Sequence, residues 1–237
     1  MTTNAALQDI LERQAETIAH AGEQLAEAMT GSTCGVTVVR GLRRDMGRMK
    51  EQVQALVSQQ WAGAGRHPGR PGWMVRNLVC DLLTRPESES PAARTLLLAD
   101  TLAELGSCVE ELALTLRLRQ CGTNFSSAAV YLADALRTLG ILVRAARTGA
   151  LPAQECALLQ EYLRRLHEQH WQLLADAGGT AGMSVSLEAG RAFAACAGVV
   201  QSAAEATLLL VNGTISGDNE TVAAVGTAFA PVPGHSH

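Results

Sequence analysis

The chain has 237 residues and 25.0 kDa, of which 47% are apolar, 18% charged and 3% aromatic. That is ample for one large domain or two smaller ones, and it excludes disordered, collagen-like and disulfide-scaffold classes. Nineteen basic residues against 23 acidic ones give a net charge of -4, so there is no global cationic field of the kind that drives nucleic-acid binding.

Apolar residues recur in mixed steps of three and four in six segments, which is helical spacing and not the alternation of strands. The first stripe is Leu7, Leu11, Ala15, Ile18, Ala21 and Leu25, and the second Val39, Leu42, Met46, Met49, Val53 and Leu56. A Gly/Pro-rich turn region at 61–72 follows, then a short helix at Trp73 to Thr84 closed by Arg85 and Pro86. The third stripe runs Leu98, Leu102, Leu105, Val109, Leu112 and Leu116, and the fourth Leu132, Leu136, Leu139, Val143 and Ala146. Gly149 and Pro152 mark the stop of the fourth helix and the start of the fifth, whose stripe is Leu159, Tyr162, Leu166, His170 and Leu173. The last segment, about Ser184 to Val211, carries only Glu188, Arg191 and Glu205 as ionic residues. A helix apolar round most of its circumference is a central member of a bundle, so the third and sixth helices are expected to be the most buried.

The expected fold is therefore all-α, an elongated helical bundle of two tandem three-helix repeats with near-parallel packing at about 20°. Residues 1–34 supply the first helix, 35–120 complete the first repeat, 121–213 form the second, and 214–237 are a C-terminal tail rich in Gly, Ala, Val and Pro, expected to be mobile. The six cysteines form no CxxC or CxxH pair, so neither structural zinc nor redox chemistry is expected of them. The N-terminus has no basic region followed by an apolar one, and the stretch Ala192 to Ala204 is shorter than the roughly 18 apolar residues that span a bilayer, so a cytoplasmic location is expected.

The segment Asp100-Thr-Leu-Ala-Glu-Leu-Gly-Ser-Cys-Val-Glu-Glu-Leu-Ala113, and less closely Cys196-Ala-Gly-Val-Val-Gln-Ser-Ala-Ala-Glu-Ala-Thr207, resemble the helix-three pattern of the PhoU-like family. That family comprises phosphate-uptake regulators and cytosolic portions of sodium/phosphate cotransporter relatives. The resemblance implies duplicated three-helix bundles and a non-enzymatic regulator that contacts a transporter or signalling partner. The family places two acids four residues apart on one helical face, where their oxygens hold metal ions. The matching positions here are Ala103 and Ser107, then Ala197 and Gln201. The resemblance thus implies a divergent member without the metal clusters, with no cofactor.

Two clusters remain as candidate sites. Arg40, Arg43, Arg44 and Arg48 make one flank of the second helix cationic, countered by Asp45 and Glu51. Its readings are a solvated flank paired with an acidic neighbouring helix, a contact for an acidic protein partner, or a site for a small anion or nucleic acid. His167 and His170, three apart on the fifth helix with Glu161 and Glu168 nearby, are the alternative: a metal- or cofactor-binding protein or an enzyme. Against it, neither Glu161 nor Glu168 stands in the Glu-x-x-His spacing of carboxylate-bridged bundle sites, and His170 fits a packed seam histidine. A plain assembly scaffold is a third reading, and a homo-oligomer is compatible with all three. No phosphate loop, nucleophile elbow or Cys-His arrangement is present, so no catalytic residue is expected.

Overall fold

The computed structural model describes residues 3–30, 39, 41–63, 91–118, 125–176 and 183–212. Among these residues the protein is all-helical, with six long helices and no strand. They are α1 (Thr3–Met29), α2 (Leu42–Gly63), α3 (Pro91–Leu118), α4 (Ser126–Ala145), α5 (Ala153–Asp176) and α6 (Met183–Asn212), with a 3-10 turn at Ala146–Thr148. The short helix expected at 73–84, most of the Gly/Pro-rich turn and the C-terminal tail lie outside the described residues.

Helix limits follow local chemistry. Gly149 ends the 3-10 turn in the left-handed region (φ 75°), where a side chain would clash, and the Pro152 carbonyl accepts the first helical hydrogen bond of α5 from the Cys156 N–H at 3.2 Å. The third stripe is the most completely buried, with Leu98, Leu102, Leu105, Val109 and Leu112 wholly inaccessible to solvent, whereas Met49 and Leu56 of the second and Tyr162 of the fifth are half-buried. α3 and α4 begin a turn or more before their stripes, and their first turns, Pro91-Ala-Ala-Arg94 and Ser126-Ser-Ala-Ala129, carry no large apolar residue to read.

α1, α2 and α3 all touch one another, as do α4, α5 and α6, and the two sets meet along α1–α4 and α3–α6, the most extensive contacts among the described helices. The order of neighbours around the bundle is thus α1, α2, α3, α6, α5, α4. α2 and α5 occupy the ends, each half-covered, while the other four helices enclose the core.

The α1–α4 seam is antiparallel and built from small residues. A Cβ on Gly22 would fall 2.6 Å from Leu136 Cδ1 and 3.4 Å from the Ala133 Cα, and Gly140 faces the Ala15 carbonyl. Gln8 reaches the Val143 carbonyl at 3.0 Å, and Arg144 and Arg147 pair with Glu16, Asp9 and Glu12 along the outer edge. These exposed pairs fix register more than they stabilise. α4 is consequently as buried as α3 and α6, in contrast to the sequence expectation, because Ala128, Ala129, Ala135 and Gly140 are covered by α1 and α6 without appearing in a large-residue stripe.

Phe125, at the start of α4, stacks on Phe193 of α6 with ring centroids 5.9 Å apart and planes within 5°. The α2–α3 pair is also antiparallel: Met46 lies on Gly106 so closely that a Cβ there would meet Met46 Cγ at 2.4 Å, and Lys50 pairs with Asp100 at 3.1 Å.

Segments 126–148 and 187–211 are long and apolar enough to cross a membrane, the latter with a mean hydropathy of 1.6 over its richest window. The shorter stretch Ala192 to Ala204 is an uncharged run broken by Gln201 and Ser202, whereas mean hydropathy averages over those two residues and so extends the segment. In the bundle 61% and 56% of the two windows are buried against other helices.

Candidate functional site

α2 begins at Leu42 without a Ser, Thr, Asp or Asn to cap it. Its preceding residue, Gly41, has φ 91°, a conformation that glycine adopts freely. The orphan amides are satisfied from another helix: the Glu110 carboxylate of α3 accepts the Arg43 N–H at 2.7 Å and the Gly41 N–H at 3.3 Å. A carboxylate there also opposes the positive end of the helix dipole.

This arrangement decides how the arginines are presented. The acidic neighbouring helix binds the backbone of α2 and leaves its side chains outward, and Arg43, Arg44 and Arg48 are all exposed. Arg44 forms an ion pair with its neighbour Asp45, at 3.6 Å with both largely in water, and Arg43 and Arg48 form no ion pair with a described residue. Arg40 lies outside the described residues. Three guanidinium groups thus remain in water at one end of the α2–α3 pair, with their donor forks free for carboxylate or phosphate oxygens.

The histidine cluster is placed differently. His167 is exposed beside the buried Leu166, and the side chain of His170 lies outside the described residues. Glu161 and Glu168, the two nearby carboxylates, are engaged by arginines. Arg164 bonds Glu161 through Nη2 at 2.8 Å and also pairs with Glu168, while Arg165 Nε donates to Glu161 at 2.7 Å. Hydrogen bonds from Arg164 and Arg165 hold the Glu161 carboxyl down at about 2, against an ordinary 4.5. Arg165 also lies over the Tyr131 ring at 5.3 Å, tying α5 to α4. Among the described residues, no three His, Cys, Asp or Glu side chains converge as a metal site would need.

At the four positions that the family resemblance assigns to acids, Ala197 is buried in the core. Ser107 Oγ donates to the Ala103 carbonyl at 3.1 Å, and Gln201 Nε2 donates to Glu205 Oε1 at 3.1 Å. Glu104 and Glu205 are exposed.

Sequence reasoning missed a shallow, open groove of about 400 Å³ between α3 and α6, lined by Cys108, Glu111 and Thr115 on one side and Glu188, Arg191, Ala192 and Ala195 on the other. Its residues are far apart in the chain, and nothing in either segment signals the other. Cys108 is half-buried at its wall, Cys196 is fully buried beneath, and both are free thiols. Burial pushes both pKa values up, with Glu104 and Glu111 adding to the effect at Cys108 and the Cys108 and Glu111 charges at Cys196, so neither is a poised nucleophile. The groove carries charge of both signs and no activated group.

Compared with known proteins, the sequence matches no protein-family model and no curated protein.

Proposed function

We propose that the protein is a non-enzymatic regulator or accessory protein of phosphate transport or its signalling, acting in the cytoplasm through protein contacts on a scaffold of two tandem PhoU-like three-helix repeats. The observation that carries this reading is a correspondence of contacts. Each pair within α1–α3 has its counterpart three helices on, within α4–α6, and the strongest contacts between the sets join the corresponding helices α1 to α4 and α3 to α6. A duplicated unit packed about an approximate two-fold axis has this pattern.

The contact surface proposed is the cationic flank of α2, Arg43, Arg44 and Arg48, extended by Arg40, and the partner it suits is an acidic surface of a transporter or signalling protein. The flank is held outward by Glu110, which serves the α2 backbone instead of neutralising the arginines.

The test is made in the native cell. Deletion of the chain is expected to change the rate of phosphate uptake, and tagged protein is expected to retain an acidic partner that is released by raised salt. Reversal of Arg43, Arg44 and Arg48 to Glu should abolish retention while altering stability by no more than about 0.5 kcal/mol per exposed site. Unchanged phosphate uptake on deletion refutes the phosphate assignment. Retention unaffected by the triple reversal refutes the arginine flank as the contact.

A further inference from the structure

The outward face of α6 is left open by α3, α4 and α5, which pack on its other sides. Along it lie Glu188, Arg191, Ala195, Gly198, Ser202, Glu205 and Leu209, all exposed, with the half-buried Leu187 and Ala194 at the margin. Gly198 stands at the middle, and a Cβ built there meets nothing within 4 Å. Leu209 is 48% exposed, the most of any large apolar side chain described.

The sequence of this face is complementary to its own reverse. Arg191 and Glu205 lie seven residues before and after Gly198, Ala194 and Ser202 four before and after, and Leu187 and Leu209 eleven before and after. These offsets return to one side of an α-helix. When two such helices cross antiparallel with Gly198 at the two-fold axis, residues at equal and opposite offsets meet. Arg191 then faces Glu205 of the other copy twice, and Leu187 faces Leu209 twice. Glycine at the crossing and Ala194, Ala195 and Ser202 beside it let the backbones approach closely.

We propose that this face of α6 is the interface of an isologous, antiparallel dimer of the chain. Two observations select a second copy over another occupant. Arg191 and Glu205 pair only in the reverse order: a parallel copy would set Arg191 on Arg191 and Glu205 on Glu205. Arg191, moreover, has no ion pair among the described residues, and Glu205 accepts a hydrogen bond from Gln201 within the same helix and forms no ion pair with a described residue. The exposed Glu111 of α3 lies beside this face, on the opposite wall of the groove from Arg191 and Ala195. The contact is essentially one helix on one helix, at the small end of specific interfaces, so dissociation in the micromolar range is expected. This inference uses α6 alone and stands independently of the role proposed for α2.

Sedimentation velocity of the full chain from about 1 to about 200 µM tests it. The expected result is a concentration-dependent shift from the 25.0 kDa monomer to twice that mass. Arg191→Glu and Glu205→Arg should each weaken the dimer about tenfold, and the two together should restore it to within about threefold, because the pair is re-formed with its charges exchanged. Gly198→Leu should abolish it with the helical circular dichroism unchanged; if that variant fails to fold, the charge exchange still decides. A monomer throughout the range, or a dimer that the charge exchange leaves unaffected, overturns the proposal. So does flotation of the wild-type monomer with vesicles of anionic phospholipid that Gly198→Leu abolishes, which would assign the face to a lipid surface.

Discussion

Gly106 and Gly47 lie in the helices of one tightly packed pair, yet the same substitution should act on them with opposite sign. In Gly106→Ala the new Cβ would stand 2.4 Å from Met46 Cγ, 3.4 Å from its Cβ and 3.5 Å from its Sδ. Met46 is fully buried, so relief requires either a change of χ1 that displaces the whole packed side chain or a shift of α2 away from α3. Overpacking of this kind costs about 1–3 kcal/mol, and a contact this short belongs in the upper half of that range. Replacing a mid-helix glycine returns about 1 kcal/mol. The balance is a loss of about 1–2 kcal/mol, or a fall in Tm of roughly 3–6 °C for a chain of this size. At Gly47 a Cβ meets nothing within 4 Å, so Gly47→Ala should gain about 0.5–1 kcal/mol. Urea unfolding followed at 222 nm measures both, with the slope m expected to be unchanged. Met46→Ala, which alone should cost about 2–5 kcal/mol, should cost about 1–2 kcal/mol less in the Gly106→Ala background, because the added methyl occupies part of the space vacated. Equal stabilisation by Gly106→Ala and Gly47→Ala, or strict additivity with Met46→Ala, would refute a close α2–α3 crossing.

Glu110→Ala removes the acceptor of two amides at the start of α2 and should cost about 1 kcal/mol in urea unfolding, while Glu110→Gln, which keeps an acceptor oxygen, should cost less. Gln14 is fully buried, with a long 3.5 Å bond to the Ala99 carbonyl and no partner for Oε1, so Gln14→Met should stabilise the fold by about 1–2 kcal/mol, read as a higher Tm. Peptide-mapped alkylation of native protein below pH 9 should leave Cys156 and Cys196 unlabelled and Cys108 slow, since burial raises all three pKa values; as their thiolates are disfavoured in the folded state, any stability they confer is lost only as pH rises above the ordinary value of 9.0. Glu161 is shifted the other way, so its contribution is present above about 4.5 and is lost as pH falls towards about 2; water screens the pair, so Glu161→Gln should lower the neutral-pH unfolding midpoint only slightly, and the two profiles should converge within that acid window.

Six helices were legible because Leu, Val and Met fall at steps of three and four, and burial of Leu98 to Leu116 follows that spacing residue by residue. Partner choice among the stripes was not legible, since it is set by shape at long range. The α1–α4 seam turns on Gly22, Ala133 and Gly140, whose contribution is the space they leave and not the surface they bury. For α2 a trace does exist: a helix start with glycine and no local capping side chain asks for a cap from elsewhere, although nothing in the sequence names Glu110 as its source. At α5 the placement of Arg164 and Arg165 three and four residues after Glu161 already favours intrahelical pairing over a ligand role for that carboxylate. The groove between α3 and α6 had no such trace.

The seam between the two helix sets also governs the chain during synthesis. The faces of α1 and α3 that α4 and α6 cover in the finished bundle have no partner while only the first half has left the ribosome. At 5–20 residues per second the remaining stretch to α6 takes roughly 5–20 s, long compared with the microseconds in which helices themselves form. Through that interval the apolar surface of a nascent first half is open to holdase chaperones and to its neighbours on the same message. Its release should coincide with the emergence of Phe193, when α6 brings the ring that stacks on Phe125 and closes the bundle.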